Sequence, residues 1–335
     1  MKKRNKVKKQ HYVPRFYLKN WADKKEKIWV FNKNNQENFK ASIKDVASSK
    51  YFYDVPKQII EELKKKELIN DNLKFLEQKQ IFEESLSLIE MINSKIIKDI
   101  INNAKNTFTK NIYKDKDIDN ILKIKEKYKK ELSFFLAIQY LRTKEARITF
   151  EQLYIGTLTK IMEKIMGIEF DNYSQITLDN NHLQIFHLDI LFNSKYVEEI
   201  AYLLEDYHWQ LLINKTKHSF YTSDSPVVYY PNIKNKNSFQ GYGFATFGIS
   251  IYYPISPEFA LLITEKNFFN KIKKFLKYKN IVLLQKENVI FYNDLIVHNS
   301  TQQIFSNKNN FDLAKKRIKE SPFLTDINRK RIEFN

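Results

Sequence analysis

The sequence predicts an α+β fold: a central helical bundle with a mostly antiparallel sheet built from the N-terminal and C-terminal thirds. Three observations lead there. Short strand-like runs ending in turn residues fill roughly residues 10–56, an apolar period of 3.6 takes over from 57 to 205, and strand-like runs return from 206. Strands, then helices, then strands is the order of a chain whose two ends meet on one sheet.

Taken in order, residues 1–9 are polar and basic and read as a disordered arm, ahead of a single α+β domain over 10–306. Lys27–Asn32 reads as a short strand followed by a turn over Asn32–Asn35, Ser42–Ala47 suits a short helix, and Tyr51–Pro56 closes the β-rich entry unit. In the helical part, Phe82, Leu86, Ile89, Ile92, Ile96 and Ile100 recur at spacings of three and four, the signature of an amphipathic helix. The stretch Leu132–Leu141 is apolar almost all round, which places that helix at the centre of the bundle. Leu158, Ile161, Met162 and Ile165 mark another helix that Gly167 ends, and 181–205 supplies one or two more. Five strand-like runs follow, at 209–213, 219–222, 227–230, 249–253 and 259–263, the last two forming a hairpin bracketed by Pro254 and Pro257. A closing helix is expected over about 292–306, and 307–335 reads as a basic helical tail.

Composition bounds the function. The 335 residues carry 57 Lys+Arg against 39 Asp+Glu, a formal net charge of +18, with no cysteine. A disulfide scaffold and any site needing thiolates are excluded. No run of about 18 apolar residues occurs, so a membrane span is not expected, and the basic N-terminus lacks the apolar run of a secretory signal. A cytoplasmic protein with no membrane or disulfide partner is the expectation. Lys outnumbers Arg 50 to 7 alongside abundant Asn, Ile, Phe and Tyr, all residues with A- and T-rich codons, so part of the charge can reflect codon bias. Its distribution says more. Residues 1–50 hold fifteen cations against four acids, and further basic runs lie at Lys271–Lys279, Lys315–Lys319 and Arg329–Arg331. Uneven charge of this kind is a footprint for phosphate backbones, and compact ammonium groups favour sequence-independent contact. Lys8, Lys9, Arg15, Lys19, Lys273 and Lys274 are the expected nucleic-acid contacts.

Four stretches in order resemble a known family: His11–Pro14 with Tyr17–Trp21, then Gln139–Thr143 with Arg147, then Thr222–Val227, then Pro254–Pro257 followed by Asn293 and Asn299. The sequence resembles the domain of unknown function 4238 family from about residue 10 to residue 306. The resemblance implies a fold grouping and candidate positions but no reaction. Trp21 stands where the family usually has Phe, and Ile255 where it has Leu.

The candidate catalytic residues are His11, Arg142, Asp224 and Asn299. His11, ahead of Pro14, is either a general base or metal ligand, or a ring that fixes the aromatic loop through a backbone carbonyl. Its surroundings are similar to the first arm of ββα-metal nucleases, yet the next histidine is His182. Arg142 and Arg147 follow the most apolar helix and either clamp an anion or pair structurally, with Asp224 as one partner. Asp224 sits in a Ser-Asp-Ser-Pro turn that either caps its own backbone or projects into a cleft. Asn293 and Asn299 suit helix caps. His182 and His187, five apart, miss the four-residue spacing of a zinc pair, so no metal site is assigned. Tyr12, Tyr17, Trp21 and Trp29 either stack bases or belong to the core. Phosphate loops, nucleophile elbows and zincin motifs are absent.

Three functions remain. The first is a nuclease-like enzyme on nucleic acid, of low sequence specificity, in a bacterial defence or toxin setting, with a divalent metal as its possible cofactor. The second is a non-catalytic nucleic-acid- or partner-binding module. The third is an enzyme on a small anionic ligand. Convergence of His11, Arg142 and Asp224 favours an enzyme; their separate burial favours the binding module.

Overall fold

The computed structural model describes residues 9–65, 81–109, 117–167, 180–192, 194–233 and 242–332. The expected α+β class holds. The entry unit comprises β1 (Lys9–His11), a one-turn helix α1 (Arg15–Leu18), β2 (Lys27–Asn32), β3 (Glu37–Ser42) and β4 (Ser48–Lys50). The helical middle comprises α2 (Lys57–Lys65), α3 (Ile81–Thr109), α4 (Ile118–Ile121), α5 (Glu126–Leu141), α6 (Lys144–Met166), α7 (Asn180–Phe192) and α8 (Ser194–Asp206). The last third comprises β5 (His208–Asn214), β6 (Thr222–Ser223), β7 (Val228–Pro231), β8 (Ile249–Pro254), β9 (Phe259–Thr264), α9 (Lys266–Ile272), β10 (Ile281–Leu284), α10 (Lys286–Asn299), β11 (Gln303–Ser306) and α11 (Asp312–Glu320).

The two chain ends do meet on one sheet. Its order is β3-β2-β11-β6, so the N-terminal hairpin pairs with strands from the last third, all antiparallel. The larger sheet, β10-β5-β9-β8-β7, is drawn from the last third alone, and only its β10–β5 pair is parallel. A third, two-stranded ladder joins β1 to β4.

The larger sheet is covered on both faces, which explains strands that are apolar without alternation. Along β8, Ile249, Ile251 and Tyr253 join one core with Leu261 and Ile263 of β9 and with the bundle helices. Their neighbours Tyr252, Ala260 and Leu262 join a second core with Val289, Tyr292 and Ile296 of α10 and Phe311, Ala314 and Ile318 around α11. The side-chain period of two sends alternate residues to opposite layers. α5 lies at the centre of the bundle, as its all-round apolar surface requires, with Leu132, Phe135, Leu136, Ala137, Ile138 and Leu141 all buried.

α6 begins at Thr143, whose hydroxyl accepts the Ala146 N–H, and ends at Gly167 with φ 67°, a left-handed cap that glycine adopts without a Cβ clash. Three expectations are corrected. Residues 43–47 form a turn, not a helix, with Ala47 at φ 46° before β4. The closing helix ends at Asn299, and 303–306 forms β11 because Ile304 and Phe305 have a ladder partner on each side. The last expected strand before 227 shrinks to Thr222–Ser223. In the tail, α11 is helical as expected, while residues 322–325 make a 3-10 turn.

Candidate functional site

His11 ends β1, opposite Ser48 of β4, and the chain then turns at Pro14 into α1. Its imidazole is half-buried, and Nε2 is buried with no hydrogen-bond partner. Burial lowers its pKa to about 4, the cations Arg15, Lys9 and Arg142 add to this, and the Ile43 backbone acts the other way. The ring is therefore neutral at pH 7.

Arg142 follows the last turn of α5 and is fully buried. Its Nε donates to Gln139 Oε1 at 3.0 Å and its Nη1 to Glu90 Oε1 at 2.9 Å, while Nη2 has no partner. Gln139 Nε2 donates in turn to the Tyr12 carbonyl at 3.0 Å, and the Tyr53 hydroxyl donates to the Arg142 carbonyl at 3.3 Å. A chain of polar contacts thus ties α3, α5 and the entry loop together. Glu90, the anion that Arg142 needs, lies on the α3 surface next to the apolar stripe, and no spacing rule in the sequence links it to Arg142.

Arg147 lies on α6, a different helix from Arg142's. Its Nε donates to His187 Nδ1 at 3.1 Å, its Nη2 to the Phe52 carbonyl at 2.9 Å, and its guanidinium lies 3.8 Å over the Phe52 ring. His187 Nε2 meets the Leu141 carbonyl at 2.7 Å and so acts as the donor, which leaves Nδ1 to accept from Arg147. Burial, then the Arg147 charge, pulls the His187 pKa down to about 3, so the ring stays neutral. Neither arginine pairs with Asp224.

Asp224 is buried, and its carboxylate accepts the backbone N–H groups of Thr301, Gln302 and Gln303 at 2.9, 2.8 and 2.9 Å. It fixes the turn between α10 and β11, some eighty residues away in sequence, instead of capping its own turn. The local cap comes from Ser223, whose Oγ accepts the Ser225 N–H. Burial pushes the Asp224 carboxyl above the usual range, and the hydrogen bonds from Gln302 and Gln303 and the charge of Lys33 oppose this. Lys33, also buried, donates to the Val297 and Ser300 carbonyls at 3.0 and 2.8 Å, and burial brings its pKa down to about 7.

Beside Asp224 lies a second carboxylate, Glu145 at the start of α6. It accepts from Arg329 Nη2 at 2.7 Å, from Arg331 Nε and Nη2 at 2.7 and 2.9 Å, and from the Thr301 hydroxyl at 2.9 Å. Two cations of the basic tail are therefore turned inward. Asn293 is no cap: from within α10 its side chain accepts the Tyr221 N–H and donates to the Ser219 carbonyl. Asn299 ends α10 and donates to Leu295 O of its own helix at 2.8 Å.

His11 and Arg142 are thus neighbours, close enough for one charge to act on the other, whereas Asp224 and Asn299 belong to the α10–β11 turn. Among the described residues no group of three or more His, Asp or Glu side chains is arranged to hold a metal ion. No described helix is long and apolar enough to cross a membrane. Tyr12, Tyr17 and Trp21 belong to the core, with Tyr17 stacked on Tyr253 at 5.0 Å.

Of the expected nucleic-acid contacts, Lys8 lies outside the described residues. Lys9 pairs with Asp45 at 2.7 Å and Lys19 with Glu26 at 2.9 Å, Glu26 being partly buried and the other three exposed, and Arg15 is exposed on α1. Arg15 and Lys9 act on His11, Lys44 acts on both acids, and Lys19 and Arg15 act on Glu26, so the four cations lie along one stretch of surface beside β1 and α1. Lys273 donates to Asn270 Oδ1 at 2.9 Å, and Lys274 lies 5.0 Å over the Phe275 ring.

No curated protein and no solved structure matches the chain. A family model described as "Protein of unknown function (DUF4238)" matches residues 9–310, nine-tenths of the chain, and the protein belongs to that family.

Proposed function

We propose that this protein binds nucleic acid, with little sequence preference, through the basic face around β1 and α1. The observation behind this reading is the grouping of Lys9, Arg15, Lys19 and Lys44, with the acids Asp45 and Glu26 paired to Lys9 and Lys19 among them. Exposed pairs of this kind are worth about 0–1 kcal/mol, so phosphates can displace the carboxylates at little cost. Three of the four cations are lysines, which favours backbone contact over base reading. Arg142 and Asp224 are tied up inside the fold, which weighs toward a binding module.

One observation favours cleavage as a second reading. His11 is half-buried within the basic face, neutral, and keeps an unpartnered Nε2. With its buried Nε2 uncovered by a shift of the entry loop, a neutral imidazole beside a phosphate held by Lys9 and Arg15 can accept the proton of an attacking hydroxyl or water. The test is cleavage of labelled RNA and DNA with Mg²⁺, Mn²⁺ or EDTA, alongside binding across a salt series, for wild type, His11→Ala and the double variant Lys9→Gln/Arg15→Gln. Salt-dependent binding weakened in the double variant supports the binding reading. Cleavage lost in His11→Ala with binding retained supports the second. Absence of binding at low salt refutes both.

A further inference from the structure

We infer that the segment running from α9 to the start of β10 is a peripheral contact for an anionic lipid bilayer. Residues 266–286 carry seven lysines and no acid. One side of the segment is anchored. Glu265 caps α9 by accepting the Asn267 and Phe268 N–H groups at 2.7 and 2.8 Å, and Phe269 is buried with its ring stacked 3.5 Å from that of His208.

The other side faces water. Phe268 and Phe275 are seven residues apart, two helical turns, and so fall on one side of α9 and the 3-10 turn Lys273–Phe275 that continues it. Phe268 meets Phe247 edge-on at 6.1 Å. Phe275 is 77% exposed and Phe247 44%, an apolar edge set among cations. Lys271 lies 4.6 Å over the Phe247 ring, Lys274 5.0 Å over Phe275, and Lys277 5.1 Å over Tyr278, while Lys273 donates to Asn270 Oδ1. Among the described residues, none of Lys271, Lys273, Lys274, Lys277 and Lys279 has an acidic side chain as partner. The neighbouring acids are engaged elsewhere: Asp206 with Lys266 at 2.6 Å, and Asp119 with the backbone N–H groups of Lys279 and Asn280 at 3.1 and 2.7 Å. This sets the segment apart from the basic face around β1, where Asp45 and Glu26 already pair with two of the cations.

The arrangement of rings and lysines favours lipid over nucleic acid. A base stacks on the bare face of an aromatic ring, and here lysines lie over the faces of Phe247, Phe275 and Tyr278. At a bilayer surface the two groups act together: the ring enters the boundary between headgroups and acyl chains, and the lysine stem runs back along it to the lipid phosphates. Anionic headgroups then supply the counter-charge that the five lysines lack in the fold. Such a contact lies on the membrane and requires no spanning helix.

These residues are not those of the basic face, so this inference and the proposed function fail separately. The full chain is sedimented with vesicles of phosphatidylcholine alone, and of phosphatidylcholine mixed with phosphatidylserine, across a salt series. The variants are Lys271→Gln/Lys273→Gln/Lys274→Gln, Phe275→Ser and Phe275→Trp, with Lys9→Gln/Arg15→Gln as the control for the other face. All the replaced side chains are exposed, and circular dichroism checks that each variant is folded. The expected result is binding to the phosphatidylserine vesicles alone, weakened by salt and unchanged in the control. It falls about fivefold per lysine removed and about tenfold in Phe275→Ser. Phe275→Trp is expected to show a blue shift of emission on addition of those vesicles that the wild type does not. No sedimentation with phosphatidylserine vesicles at low salt overturns the inference, as does binding that survives both the triple lysine variant and Phe275→Ser. Binding lost only in the control assigns the lipid to the basic face and overturns it too. So does a triple lysine variant that loses binding to labelled RNA but not to vesicles, which makes the segment a nucleic-acid contact instead.

Discussion

Asp224 offers the sharpest test, because a structural and a catalytic role predict opposite results. In Asp224→Asn one oxygen remains to accept the Thr301 N–H, but an NH₂ group now faces the N–H groups of Gln302 and Gln303. Each buried donor left without an acceptor costs about 1–3 kcal/mol. Part of that is offset, because burial already disfavours the Asp224 charge; part is added, because Lys33 and Arg329 lose a neighbouring anion. A net loss of about 3 kcal/mol follows for Asn, and somewhat more for Ala, which keeps no acceptor. At roughly 2.1 cal/mol/K of unfolding entropy per residue, a chain of 335 residues shifts by roughly 1.5 °C per kcal/mol. The expected fall in Tm is therefore about 4–5 °C for Asn, read by scanning calorimetry. A Tm within about 1 °C of wild type, together with lost binding or cleavage, would refute the structural role and return Asp224 to the site.

Further outcomes follow from the same contacts. Glu145→Gln leaves Arg329 and Arg331 buried with a neutral partner and costs about 3–5 kcal/mol; limited proteolysis is expected to cut residues 320–332 faster, and unchanged kinetics would contradict Glu145 as the residue that holds the tail. Gly167→Ala meets no neighbouring atom but must hold φ at 67°, so it costs about 1 kcal/mol from backbone strain alone, measurable by urea unfolding. His187 and His11 titrate near 3 and 4 in the fold and near 6.5 unfolded, so the unfolded state binds more protons between those limits. Stability then rises with pH through that window, by up to about 1.4 kcal/mol per unit for each ring, and is fully present above 6.5. His187→Gln is expected to flatten the urea midpoint between pH 4.5 and 6.5; a slope equal to wild type would count against the assignment.

What the sequence made legible was local. The 3.6 period, the Gly167 stop and the β8–β9 hairpin all rest on neighbours within a few residues, and all three stand in the structure. β3 carries no apolar run because Glu37, Lys40 and Ser42 are polar, and they are polar because β3 is an edge strand exposed to water. β11 cannot be told by periodicity from the helix before it, because Ile304 and Phe305 continue an apolar period; only pairing with β2 and β6 makes them strand.

The polar residues divide along the same line. Asp224, Glu145 and Arg142 find their partners 77, 184 and 52 residues away, and no periodicity encodes such pairs. Motif residues that look like chemistry can therefore be the pins of a fold assembled from distant pieces. A carboxylate buried to hold three N–H groups needs to be Asp as strictly as a catalytic one does. His11 Nε2, like Arg142 Nη2, is buried without a partner, but it lies on a ring that can change its protonation, and its neighbours Gln10 and Tyr12 are each satisfied through side chain or backbone. A buried ring nitrogen without a partner costs about 1–3 kcal/mol, and a residue kept at that cost amid Lys9 and Arg15 is the one whose replacement says most about chemistry.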